Sequence, residues 1–374
     1  MSCDPDFLHR AQPGVRTLAP YKPGKPVGEL EREYGIREAV KLASNENPLG
    51  PGERVQEAVR AALPELSRYP DGNGFALKQA LSARLDLDPR GITLGNGSND
   101  VLELVARAFL GPGTEAVFSE HAFAVYPIVT QAVGARSRVV PAGDGRRAAR
   151  FGHDLEAMAE AVGEDTRVLF IANPNNPTGT HVDGEALQAL LARVPAEVLV
   201  VLDEAYVEYV EAPDYPDSLP WLARHPNLVI TRTFSKAHGL AGLRVGYALS
   251  HPQVADLLNR VRQPFNVNSL ALAAAEAALG DAAHLARSIE VNREGMAFWE
   301  AYCREAGLDY IPSVGNFITI DVGRPGAEVY EALLREGVIV RPVANYGLPD
   351  HLRISIGLPE ENRRAAEALS RVLS

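Results

Sequence analysis

The sequence predicts an α/β protein of two units, a large one built on a mostly parallel sheet and a smaller α+β one. Two observations carry that prediction. Short apolar runs without alternation, RVLFIA (167–172), VLVVLD (198–203) and NLVITRTF (227–234), suit strands buried on both faces of a parallel sheet. Segments with helical spacing separate them, and after about residue 265 the rhythm changes to a long Ala-rich helical stretch followed by separate strand-like runs.

Taken in order, residues 1–44 begin rich in Pro and Gly, are weakly periodic, and read as an arm that contributes to the small unit. ITLG (92–95) is a strand running into the helix NGSNDVLELVARAFL, and AVFS (116–119) leads to another helix. GEALQALLARV has the spacing of an amphipathic helix. Residues 45–265 form the large unit and 266–374 the small one, with FITIDV (317–322), a helix, VIVRPV (338–343) and LRISIG (352–357) in the latter.

The composition narrows the function. A net charge of −11 over 374 residues excludes a general nucleic-acid role, which needs a basic footprint. Any anion site must therefore gather its arginines locally. Cys3 and Cys303 stand far apart in no metal spacing and read as unpaired thiols of a reducing cytoplasm. No metal site is expected. No run reaches the roughly 18 apolar residues of a membrane helix, and the start lacks the pattern of a signal peptide. A cytoplasmic protein is expected.

Several polar residues follow the ends of the expected parallel strands, where open α/β sheets bind ligands. Gly97-Ser98-Asn99 opens a helix, and free N–H groups there suit a phosphate, although such a turn also serves as a plain cap. NPNNPTG (173–179) presents amides from a loop stiffened by two prolines. Asp203 ends an apolar run and needs a partner or a capping role, since an unpaired buried carboxylate is costly. In TFSKAHGLAGLRVG (233–246), Thr233 and Ser235 flank Lys236, and Arg244 follows in a Gly-rich loop. Together these suit a covalent amine beside a phosphate site.

NNPTG, DEAY and SKAHGLAGLR, in this order and spacing, resemble the fold-type I pyridoxal-phosphate aminotransferases. The correspondence runs from SNENPLGP (44–51) to LRISIG (352–357). APYKPG (19–24), SRYPDG (67–72) and VRPVANYGLPDHLRISIG (340–357) are most similar to the histidinol-phosphate aminotransferases. The resemblance implies a large domain with a mostly parallel seven-stranded sheet, a small α+β domain, and a homodimer with shared active sites.

It also implies a task for each residue. Lys236 would carry pyridoxal 5'-phosphate as a Schiff base and move the proton at the substrate Cα, with a depressed pKa. Asp203 would pair with the ring nitrogen, and Asn176 and Tyr206 with the phenolic oxygen. Ser98, Asn99, Thr233, Ser235 and Arg244 would hold the phosphate, and Phe123 would stack on the ring. Tyr69 would reach the phosphate of the partner subunit. Arg353 would clamp the substrate α-carboxylate and Arg341 a distal anion, with Tyr21 and Asn45 completing the pocket. The implied reaction is amino transfer between histidinol phosphate and 2-oxoglutarate, giving glutamate, in histidine biosynthesis. An aromatic amino acid aminotransferase and a threonine-phosphate decarboxylase share most of these motifs. Transcription regulators with such a domain add a DNA-binding segment, for which the residues before SNENP leave no room.

Overall fold

A computed structural model describes residues 7–21 and 23–374; Cys3 lies outside them. The central feature is a seven-stranded sheet. Its spatial order is Ile92–Gly95, Gly246–Ser250, Leu228–Thr233, Leu199–Asp203, Thr166–Ala172, Glu115–Ser119 and Arg136–Val140. Only Gly246–Ser250 runs against the others, pairing antiparallel with both of its neighbours. The remaining six strands therefore end on the same edge of the sheet.

The apolar runs are buried on both faces. Leu169, Ile171, Val200 and Leu202 enter one apolar cluster, while Val168, Phe170, Leu199 and Val201 enter another across the sheet. Successive side chains of a strand point to opposite faces, so a run without polar alternation is what this double burial requires. One strand escapes that pattern: Arg136–Val140 is an exposed edge reading RSRVV. Gly246–Ser250, which begins directly after the Gly-rich loop, is buried throughout.

The second layer is a four-stranded sheet in the order Arg341–Pro342, His351–Ser355, Phe317–Asp321 and Tyr310–Ile311. The run VIVRPV does not form one strand. Val338–Ile339 pairs parallel with Val40–Lys41 in a small sheet of its own, and Arg341–Pro342 turns into the four-stranded sheet. The long Ala-rich stretch is likewise two helices, Ser269–Leu279 and Ala282–Ala306, separated at Gly280 and Asp281. Asp281 caps the second by accepting from the His284 N–H.

The N-terminal segment touches both layers. Gln131, on the helix Val125–Ala132, donates to Thr17 Oγ1 at 3.0 Å. Leu30, on the helix Val27–Tyr34, is buried against Leu334 and Ile339. Leu42 accepts from the Ser355 N–H at 2.9 Å, which brings Ala43, Ser44 and Asn45 to the mouth between the two sheets. Among the described residues no helix is long and apolar enough to cross a membrane.

Candidate active site

A cavity of about 610 Å³ opens where the parallel strands end. Asn96–Asp100 reach it after the first strand, Asn176 after Thr166–Ala172, Asp203 at the end of its own strand, and Ser235 and Lys236 after Leu228–Thr233. Arg244 arrives from the opposite direction, because it precedes the one antiparallel strand. All the residues singled out from the sequence line this cavity except Tyr69 and Arg341.

Lys236 lines this cavity. Its amine donates to the Ser44 carbonyl at 3.1 Å and stands 5.7 Å from the centroid of the Tyr206 ring. Burial, then the positive charge of Arg353 and of Arg244, pushes its pKa down from 10.5 to about 7. An amine in that range carries a usable lone pair near neutrality.

Asp203 is buried at the strand end. It accepts from the Tyr126 hydroxyl at Oδ2 and from the Thr231 hydroxyl at Oδ1, each at 2.9 Å. Burial raises its pKa against the pull of these two donors. Among the described residues it forms no ion pair, so the carboxylate has hydroxyl partners and no cation. Tyr206 accepts from the Asn45 side-chain amide at 3.0 Å, and burial pushes its phenol up to about 12.

The anion cradle is made by close backbone approach. Gly97 has φ +83 and precedes the helix Ser98–Phe109, whose start has no side-chain cap. A Cβ on Gly97 would lie 2.6 Å from Arg244 Nη2, and one on Gly246 would lie 2.5 Å from the Ser98 nitrogen. Glycine at both positions lets the guanidinium and the helix N–H groups crowd together. Ser235 Oγ is 3.5 Å from Arg244 Nη1, and Thr233 Oγ1 accepts from the Ser235 N–H at 3.1 Å. A helix start, a guanidinium and hydroxyls form a donor set for a phosphate.

Arg353 closes the opposite side. It donates to Asn176 Oδ1, and to the Ala43 carbonyl at 2.7 Å, while its buried Nε has no partner. An unpartnered buried guanidinium N–H is costly and marks the place for an external acceptor. Arg341 is the direct cross-strand neighbour of Arg353, so both side chains leave the same sheet face. Its guanidinium carbon lies 5.2 Å from the ring centroid of Tyr21, which itself lines the cavity.

Phe123 lines the cavity and meets Tyr126 edge-on at 6.0 Å. Tyr69 is elsewhere: it is 82% exposed and stacks on Phe265 at 4.7 Å. Sequence reasoning missed Tyr126 and Thr231, the two supports of Asp203, and the Ser44 carbonyl. The sequence offered no signal for them; the register of Thr231 with Asp203 on the adjacent strand and the packing of the Tyr126 helix appear only in the structure.

An α/β sheet with this lysine, carboxylate and anion cradle at its strand ends defines a group-transfer enzyme. The chain belongs to the class I and II aminotransferase family, whose model matches residues 37–369. It is similar to histidinol-phosphate aminotransferase 2 of Pseudomonas aeruginosa, 64% identical over 371 residues and 99% of each chain. It is 60% identical to the Methylococcus capsulatus protein of the same name, over 97% of this chain and 98% of that one. Among solved structures it resembles histidinol-phosphate aminotransferase from Sinorhizobium meliloti in complex with pyridoxal-5'-phosphate. That match has a TM-score of 0.89 and 31% identity, and covers 97% of each chain.

The depressed pKa of Lys236 has a consequence for stability. Between about pH 7 and 10.5 the unfolded chain holds a proton on this lysine that the folded chain lacks. Stability therefore rises with pH through that window, and the penalty is fully present below it. In the cofactor-free protein, Lys236→Met should raise the unfolding free energy at pH values below 7, by on the order of a few kcal/mol. The gain should vanish once the pH exceeds the ordinary lysine value. Denaturant titrations at several pH values would show this, and a gain independent of pH would contradict it.

Proposed function

We propose that this chain is a histidinol-phosphate aminotransferase, catalysing reversible amino transfer between L-histidinol phosphate and 2-oxoglutarate in histidine biosynthesis with pyridoxal 5'-phosphate. The observation that carries the reading is the near-neutral amine of Lys236 in one cavity with a phosphate cradle, a buried carboxylate lacking a cation, and an unpartnered Arg353 Nε. Full-length identity of 64% to a protein of that name supports the substrate.

The donor set fits the cofactor. Arg244, Ser235, Thr233 and the N–H groups at Ser98 and Asn99 would hold its phosphate. Asp203 would face the ring nitrogen, and Tyr206 and the Asn176 amide the phenolic oxygen, with Phe123 against the ring face. Bound there, pyridoxal phosphate supplies an electron sink for the pair left at Cα when its proton departs. Lys236 Nζ would be the base that takes that proton. Its neutrality near pH 7 suits this work. Asp203 would keep the ring nitrogen protonated, since a buried carboxylate stabilises a cation beside it.

The chemistry of the two substrates refines the arginines. Histidinol phosphate has no α-carboxylate; a phosphate ester on the neighbouring carbon takes its place. Arg353 therefore meets glutamate's α-carboxylate in one half-reaction and this phosphate in the other. Arg341, beside it on the same sheet face, adds a second guanidinium for the dianion. Under this proposal Arg341 serves an anion next to Arg353, where the sequence alone suggested one at the far end of the substrate.

The proposal includes a homodimer in the cytoplasm, with the chain divided at 1–44, 45–265 and 266–374. Tyr69 supports the dimer: it lies outside its own cavity, exposed and backed by Phe265, as a residue serving a second copy would.

Steady-state comparison of histidinol phosphate, phenylalanine and threonine phosphate as amino donors tests the function, and histidinol phosphate should give by far the largest kcat/KM. Arg341→Leu should then lower kcat/KM for histidinol phosphate by the loss of about 2–5 kcal/mol, roughly thirty-fold to several thousand-fold. Phenylalanine should be affected far less. Arg353→Leu should damage all donors. A small, equal effect of Arg341→Leu on every donor would place its side chain away from the substrate. Site sharing has its own test, given that Tyr69→Phe alone is impaired. Mixed dimers of Lys236→Ala and Tyr69→Phe subunits should regain activity, because one site then carries neither lesion. Absence of any recovery on mixing would mean that Tyr69 acts within its own subunit.

A further inference from the structure

Tyr126 has no task in the reading above. It is fully buried on the helix Val125–Ala132, and its ring stacks on Phe170 at 4.7 Å. Its edge-on contact at 6.0 Å is with Phe123, the residue proposed to lie on the cofactor ring. Its hydroxyl donates at 2.9 Å to Asp203 Oδ2, and Thr231 occupies the other oxygen. A buried phenol needs some acceptor. Here the acceptor is the carboxylate proposed to face the ring nitrogen.

We propose that Tyr126 is a positioning residue whose hydroxyl holds Asp203 ionised and aimed, and so sets how firmly the ring nitrogen stays protonated. The inference rests on the pyridoxal phosphate reading. A hydrogen bond donated to a carboxylate lowers its affinity for a proton. Burial and the charge of Glu204 work the other way on Asp203, while the Ala205 backbone N–H adds to the pull of the two hydroxyls, of which Tyr126 is the stronger. Without the Tyr126 hydroxyl, Asp203 becomes a stronger base and draws the proton from the ring nitrogen. The ring then carries less positive charge and is a weaker electron sink. The nitrogen that would join Lys236 to the cofactor, relieved of that charge, would become more basic and bind its own proton more tightly.

Tyr126→Phe isolates the hydroxyl, because the ring and its contacts with Phe170 and Phe123 remain. The holoenzyme is titrated with pH while the absorbance of the lysine-linked cofactor is followed. The midpoint should move up by about half a unit or more. In parallel, kcat should fall about ten-fold with little change in KM. Thr231→Val, which removes the second donor, should move the midpoint in the same direction and provides an independent arm. A Tyr126→Phe midpoint and kcat equal to wild type would overturn the inference, even with a lowered Tm, and would leave Tyr126 as core packing. A wild-type protein with no lysine-linked chromophore would overturn the cofactor reading itself. A normal wild-type titration beside an unmoved variant would overturn only the role of Tyr126.

Discussion

The carboxylate of Asp203 sits at the end of a strand whose two faces are both covered, and that burial organises much of what surrounds it. Two hydroxyls, from Tyr126 and Thr231, satisfy its oxygens without neutralising its charge. Apolar packing brings both donors into place: Tyr126 is stacked on Phe170, and Thr231 lies in register with Asp203 on the adjacent strand. The result is a negative charge sealed in the sheet and open only toward the cavity, where a cation on a ligand would stabilise it.

Three cations gather in the cavity beside Asp203, Asp100 and Glu103, although the chain as a whole carries a net charge of −11. Lys236 and Arg244 converge from one run with Arg353 from far along the chain, and Arg341 lies beside Arg353. The geometry of the sheet explains the convergence. Parallel strands end on one edge, and the single antiparallel strand Gly246–Ser250 delivers Arg244 to that same edge from its start. Burial, then the charges of Arg353 and Arg244, push the Lys236 pKa down to about 7. The charges proposed to hold anions are thus also those that lower the Lys236 pKa.

Much of this was legible in the sequence because burial on both faces writes unbroken apolar runs, and the residues just beyond those runs form the cavity. RVLFIA, VLVVLD and NLVITRTF were found for that reason, and with them Asn176, Asp203 and Lys236. What escaped lacks such a signature. Arg136–Val140 is an exposed edge with polar residues, and VIVRPV looked continuous because a change of sheet between Ile339 and Arg341 leaves no trace in hydropathy. Tyr126 and Thr231 were invisible as functional residues because a buried tyrosine and a strand threonine ordinarily belong to the core. Their role depends on a contact between elements distant in sequence, and only the register of adjacent strands and a helix packed on the sheet reveal it.

The central claim is that Lys236 binds pyridoxal phosphate covalently at the edge of this sheet. Borohydride reduction of the purified yellow protein, followed by digestion and mass spectrometry, tests it most directly. The account predicts a single reduced pyridoxyl adduct, on the peptide containing Ser235-Lys236-Ala237. An adduct on another lysine, or none in a protein that still transfers amino groups, would contradict it.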